Sequence, residues 1–132
     1  MKKKNGFTLV ELLAVIVILA IILVIAVPQI MNTIDSAREG SMQSSVKMIA
    51  ASAEREYTVR ETLGTLNQEE YPIACTDVAS LSDADYVTCE ITFSNGEATV
   101  KLLGKSGGKF AGKAVCAGTR TTATISADCP TP

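Results

Sequence analysis

Phe7-Thr8-Leu9-Val10-Glu11 leads into Leu12-Leu13-Ala14-Val15-Ile16-Val17-Ile18-Leu19-Ala20-Ile21-Ile22-Leu23-Val24-Ile25-Ala26-Val27, and Pro28 closes the run. From Leu12 to Val27 no side chain is polar. Counted from Phe7 the stretch is 21 residues. At ~1.5 Å per residue that is a helix of about 30 Å, the thickness of a bilayer's hydrocarbon core. The pattern predicts a membrane-spanning helix. Lys2, Lys3 and Lys4 stand directly before it, so the positive-inside rule predicts a cytoplasmic N-terminus with the remainder outside. A secretory signal peptide shares this layout, but its apolar region is usually about 7–15 residues long, and Ala26-Val27-Pro28 offers no small-x-small cleavage site.

Glu11 is the specific signal inside this run. An ionised carboxylate in hydrocarbon costs roughly 2.5–3.5 kcal/mol even on lenient insertion scales, so it calls for a partner. The blander reading is a carboxylate near the interface that reaches the headgroups. Gly6-Phe7-Thr8-Leu9-Val10-Glu11 resembles the processing and methylation signal of type IV prepilins and the related pseudopilins. In that family a membrane peptidase cuts after the glycine and methylates the new N-terminal phenylalanine. The resemblance therefore implies that Gly6 ends a leader, that Phe7 is the methylated N-terminus, and that Glu11 pairs with the Phe7 amine of a neighbouring subunit. Pro28 stands where the family often has its helix-breaking proline. The detailed match covers Lys2 to Pro28.

Elementary electrostatics supports such an arrangement. A lone buried amine and a lone buried carboxylate are each expensive, and two subunits offset by one step satisfy both. The resemblance also implies a homopolymer with other pilin subunits, a membrane-held precursor, and a prepilin peptidase and pilus assembly machinery as partners. The precursor is expected in the bacterial cytoplasmic membrane and the assembled protein in an extracellular filament.

Composition agrees with one small domain plus the span. The chain has 132 residues, 47% of them hydrophobic, and a formal charge of −2. Loss of the three leader lysines would leave 9 basic against 14 acidic side chains, a net of −5. The expected parts are a leader over 1–6, a transmembrane and polymerisation helix over 7–28, an amphipathic helix over 29–64, a connecting loop over 65–85 and an antiparallel sheet over 86–132. The expected fold class is α+β, a long helix packed on a small antiparallel sheet.

Beyond Pro28, Ile30, Ile34 and Ala37, then Met42, Val46, Ile49, Ala53 and Tyr57 recur at helical spacing as one apolar face. Asp35, Arg38, Glu39, Lys47, Glu54, Arg55, Glu56 and Arg60 lie between them. Gly64 is placed as a C-terminal cap, with the helix ending at Leu63. Pro28 and Gly40 are the two weak points, Pro28 as either a break or a kink, Gly40 as a packing contact or a tolerated defect.

A short helical turn is expected at Asp77 to Leu81. Val87, Cys89, Ile91 and Phe93 then alternate with Thr88, Glu90 and Thr92, and Asn95-Gly96 supplies a two-residue hairpin turn. That turn sets Phe93 opposite Ala98, Ile91 opposite Val100, Cys89 opposite Leu102, Thr92 opposite Thr99 and Glu90 opposite Lys101. A third strand is expected from Lys109 to Cys116 and a weaker fourth from Thr121 to Ile125. The inner face should rest on the helix stripe from Val46 to Tyr57.

Cys75, Cys89, Cys116 and Cys129 all fall in the part expected outside the cytoplasm, which favours two disulfides over metal ligation. The favoured pairing is Cys75 with Cys89 and Cys116 with Cys129; an inner Cys89–Cys116 bridge is the alternative. There is no histidine, so neither Ser-His nor Cys-His nucleophile pairs exist and no enzyme is predicted. No cofactor or metal is expected. Asp83 and Asp85 form a fragment of a calcium-loop pattern without its glycine and distal glutamate. Asp128 stands nearly alone after Glu97, so the acidic loop of many secretion pseudopilins has no clear counterpart. Lys101, Lys105, Lys109, Lys113 and Arg120 form a basic segment, read either as a patch for DNA or another anionic polymer, or as a solvated face and charge match between subunits. Phe110 is read as core.

The prediction is thus a structural subunit, the major pilin of a type IV pilus. A pseudopilin of a type II secretion or competence system and a single-pass anchored binding module are the alternatives. The anchored module gives no reason for Glu11 or for the Gly6-Phe7 junction. Motors and partners encoded elsewhere determine whether such a filament serves motility, adhesion, DNA uptake or secretion.

Overall fold

The computed structural model describes residues 5–66 and 73–129. Lys2, Lys3 and Lys4 and the centre of the expected connecting loop, with Pro72, lie outside the described residues. One helix, α1 (Leu9–Thr62), is followed by β1 (Ile73–Ala74), a 3₁₀ turn at Cys75–Asp77, β2 (Tyr86–Ser94), β3 (Glu97–Gly104) and β4 (Ala114–Gly118). The chain divides into two units, Met1–Ser36 and Ala37–Pro132.

The first unit contains the apolar half of α1. Its large apolar side chains from Phe7 to Val27 are 48% to 93% exposed. By length and composition this helix is apolar enough to cross a membrane. Pro28 lies in its interior and the helix runs on through it. Proline removes one backbone bond, and its neighbours' bonds hold the turn together.

In the second unit the rest of α1 lays Met42, Val46, Ile49, Ala50 and Ala53 on the sheet, against Ile91, Ala98, Val100, Leu102 and Val115. Cys75 and Phe110 complete this core, and none of its members is more than 3% exposed. Tyr57 extends the stripe by stacking on Phe93, ring centres 4.8 Å apart. Ile30 and Ile34, read as the start of the same stripe, belong to the first unit and stay 55% and 41% exposed.

Gly64 closes the helix. Its φ of 67° is one that only glycine adopts freely. There its N–H donates to the Glu61 carbonyl at 3.1 Å while the Thr65 N–H donates to the Arg60 carbonyl at 2.9 Å. Two carbonyls that a helix end leaves orphaned are thereby satisfied.

The sheet is antiparallel in the order β1-β2-β3-β4. Asn95 and Gly96 both have positive φ, 53° and 82°, the geometry whose twist matches a hairpin. All five cross-strand pairs expected from that turn occur. The face assignment fails at Val87, where a register shift between Tyr86 and Thr88 interrupts the ladder. Val87 is 66% exposed, and Tyr86 instead stacks on Phe110 at 5.0 Å. A bulge inserts one residue and so inverts the alternation on its far side.

Three expected elements are corrected. The last strand is Ala114–Gly118, not Lys109 to Cys116. Gly107 and Gly112 have φ of 80° and 71°, and the chain between them turns, so Phe110 leaves the strand line to enter the core. Thr121 to Ile125 forms no strand; the sole ladder contact there is an isolated bridge between Ser126 and Ala114. The Thr119 hydroxyl accepts from the N–H groups of Thr121 and Thr122 at 3.4 and 3.2 Å, a local arrangement that competes with a sheet ladder. The helical turn expected at Asp77 to Leu81 lies earlier, at Cys75–Asp77. β1 was not anticipated, since two residues carry no readable alternation; Ile73 pairs with Ile91 and Ala74 with Glu90.

Gly118 in β4 lies close against Val46 of α1. A Cβ built there would land on the Cγ1 methyls of Val46 and Val115. Gly118→Ala should cost about 1–3 kcal/mol by overpacking and lower the thermal unfolding midpoint by roughly 5–20 °C. An unchanged midpoint would show that this contact yields freely.

Candidate assembly site

Residues 5–8 precede the helix and form no regular element. Thr8 caps it. The Thr8 N–H and hydroxyl both donate to Glu11 Oε2, at 2.8 and 3.0 Å, and the Glu11 N–H donates back to Thr8 Oγ1 at 3.3 Å. This is the reciprocal capping box of a Ser/Thr-x-x-Glu sequence. It also sets the carboxylate against the positive end of the helix dipole. The spacing of Thr8 and Glu11 is legible in the sequence, yet neither reading of Glu11, a neighbouring subunit's amine or the headgroups, takes it into account. Within this chain Glu11 meets Thr8, and both bonds fall on one carboxylate oxygen. Gly6 and Phe7 lie just outside the box, exposed and non-helical. Phe7, Leu12, Ala14 and Val15 lie beside the exposed Glu11 on this end of the helix.

The basic segment folds back on the chain's own acceptors. Lys113 Nζ is 2.8 Å from Glu39 Oε1 and Arg120 Nε is 3.6 Å from Glu54 Oε2. Lys105 Nζ donates to the Asp83 carbonyl at 3.0 Å. Lys109 Nζ sits 5.2 Å from the centre of the Phe110 ring, and Lys101 faces Glu90 across the hairpin. Two of the five basic side chains, Lys113 and Arg120, are thus paired with acids of the helix. Asp85 accepts from the Lys109 N–H at 3.2 Å and Asp128 accepts from the Cys129 N–H at 2.8 Å, so both fasten loops. Burial raises the Tyr86 phenol above its ordinary range, against a hydrogen bond with Ser45 that pulls the other way. It stays neutral and serves as a core aromatic.

Glu54 and Glu39 are the polar residues whose roles the sequence did not disclose. Glu54 Oε1 accepts from the Ala98 N–H at 3.3 Å. In this hairpin Ser94 and Glu97 flank the turn, so the next pair, Phe93 and Ala98, is non-hydrogen-bonded and the Ala98 N–H points away from β2. Ala98 is fully buried. Glu54→Ala leaves that donor unmatched and should cost about 1–3 kcal/mol. Arg120→Ala, which removes an exposed partner, should cost under about 1 kcal/mol. Urea unfolding of the two variants checks the order; equal losses would mean that the ion pair, not the backbone bond, is what Glu54 provides.

The disulfides are Cys75–Cys89 and Cys116–Cys129, with Cα separations of 5.5 and 5.3 Å. The Cys89–Cys116 alternative is incompatible with the sheet. β3 lies between β2 and β4, which sets those strands roughly 10 Å apart, beyond the ~7 Å a disulfide spans.

The fold and the N-terminal box define a class of protein: an apolar helix headed by one carboxylate, continued by a helix-on-sheet unit. The family model for the prokaryotic N-terminal methylation motif matches residues 1–27. Two fimbrial proteins of Pseudomonas aeruginosa are each 33% identical over 114 residues, which cover 82% of this chain and 73% of theirs. The type II secretion system core protein G of the same species is 40% identical over 50 residues, which cover 38% of this chain and 35% of that protein. No solved structure matches. The chain belongs to the type IV pilin and pseudopilin family, whose members are structural proteins that assemble with other subunits.

Proposed function

We propose that this protein is the major structural subunit of a type IV pilus, cut between Gly6 and Phe7, methylated at the Phe7 amine and polymerised through its N-terminal helix. The supporting observation is Glu11: a carboxylate amid exposed apolar side chains whose described partner, Thr8, is uncharged. The new Phe7 amine of a neighbouring subunit supplies the missing charge at Oε1. The precursor crosses the membrane N-in and C-out, with 1–6 as leader, 7–28 as polymerisation helix, 29–64 as its amphipathic continuation, 65–85 as connecting loop and 86–132 as the sheet region. A prepilin peptidase and a pilus assembly machinery are its partners. In the packed filament the helix is expected to melt locally at Pro28, where one backbone bond is already missing. Binding of DNA or another anionic polymer at Lys101, Lys105, Lys109 and Lys113 has less support, because Lys113 is engaged with Glu39.

A pseudopilin role is the second reading, favoured by the likeness to the secretion core protein over 50 residues. The fimbrial likeness favours a pilin because, over 114 residues, it reaches into the sheet. The test is intact-mass and N-terminal peptide mass spectrometry on material sheared from producing cells. A chain beginning at methylated Phe7, abundant in the sheared fraction, supports the pilin. The same N-terminus found only in membranes favours the pseudopilin, and an uncut chain confined to membranes overturns both in favour of an anchored module.

A further inference from the structure

Four cysteines allow three complete pairings, and the one observed joins neighbours along the chain, at separations of 14 and 13 residues. The crossed pairing, Cys75–Cys116 with Cys89–Cys129, closes loops about three times as long. The nested one, Cys89–Cys116 within Cys75–Cys129, closes loops about two and four times as long. Since the likelihood of closing a flexible loop falls as roughly the 3/2 power of its length, proximity alone favours the observed pairing on the order of tenfold. The fold adds a second selection, because β3 separates Cys89 from Cys116. Once both bridges exist, no free cysteine remains to start an exchange, and Cys75 and Cys129 are buried.

We propose that the assembly-competent subunit is made by direct oxidation of chain-neighbouring thiols without disulfide isomerisation. The reaction class that must supply it is two-electron dithiol oxidation by a thiol–disulfide oxidoreductase. One cysteine thiolate attacks a sulfur of the oxidant's disulfide, forming a mixed disulfide and releasing the oxidant's other sulfur as thiolate. The second cysteine thiolate attacks the chain's sulfur in that mixed disulfide, closing the bridge and releasing the fully reduced oxidant. Two protons and two electrons leave the chain for each bridge. The pairing follows from chain distance, so it does not depend on which member of the family this is.

The test uses the full chain, reduced and held in detergent micelles, with glutathione disulfide as oxidant. Species are trapped with iodoacetamide and mapped after cleavage at aspartate, lysine and arginine, which sets all four cysteines on separate peptides. In concentrated guanidinium, where nothing folds, the observed pairing should exceed each alternative by about tenfold. Under refolding conditions, adding a protein disulfide isomerase should change the native yield by less than about twofold. Near-equal amounts of the three pairings in guanidinium, or native pairs that appear only with the isomerase, would overturn the proposal.

Discussion

Cells producing Glu11→Ala are expected to retain the protein in the membrane while shedding about 100-fold fewer filaments or less still. Membrane insertion rests on the apolar run from Leu12 to Val27, which the substitution leaves intact. Assembly, in the proposed arrangement, sets a buried Phe7 amine against the Glu11 carboxylate, and removing one member of such a pair costs about 3–5 kcal/mol. At 1.4 kcal/mol per factor of ten that is roughly 100- to 4,000-fold. Glu11→Gln separates this role from capping. Glutamine at this position retains the reciprocal bonds with Thr8 but carries no charge. Loss of filaments in both variants identifies the charge as the required feature. Filaments from Glu11→Gln but not Glu11→Ala would identify the capping box as sufficient, and normal filaments from both would sink the proposed pairing.

Removing either disulfide is the change expected to affect the sheet unit most. Each closes a loop of similar length, 14 and 13 residues of separation, and the chain-entropy account assigns about 3 kcal/mol to such a loop. A domain of this size has about 5–15 kcal/mol in all, so the two bridges together amount to a large share. Cys116→Ser with Cys129→Ser should lower the unfolding midpoint by roughly 10–25 °C, because the tail past β4 is then held by the Ser126 bridge to Ala114, the Arg120 pair with Glu54 and the half-buried Ala123 and Ile125. Removing all four cysteines should leave the unit largely unfolded at 37 °C. Thermal denaturation followed by circular dichroism measures both, and a midpoint within a few degrees of the parent would show that the core alone suffices.

The parts of the fold legible in the sequence are those governed by neighbours along the chain. Asn95-Gly96 determined a hairpin whose five pairs occur as expected, since a two-residue turn leaves no freedom of register. Gly64 announced the helix end for a similar reason: few residues accept its φ. The Val87 bulge, the displacement of β4 to Ala114–Gly118 and the two-residue β1 were not legible. Each depends on where a distant group sits, such as the Phe110 ring against Tyr86 or Ile91 beside Ile73.

The same division holds at the site. Glu11 was visible because an acid in a long apolar run is costly wherever the chain goes, Gly6 and Phe7 only through the resemblance of the motif around it, and the Thr8 box was present in the spacing of two residues. The engagement of Lys113 by Glu39 and of the Ala98 N–H by Glu54 was not, since those groups are 74 and 44 residues apart. By itself the sequence determined the apolar span, the acid within it, the helix, the hairpin register and the favoured cysteine partners, all consequences of local spacing and local chemistry. Only the tertiary structure decided that β3 stands between the two disulfides and that Lys113 and Arg120 meet Glu39 and Glu54. Packing a helix against a sheet brings together residues whose distance along the chain carries no information about their distance in space.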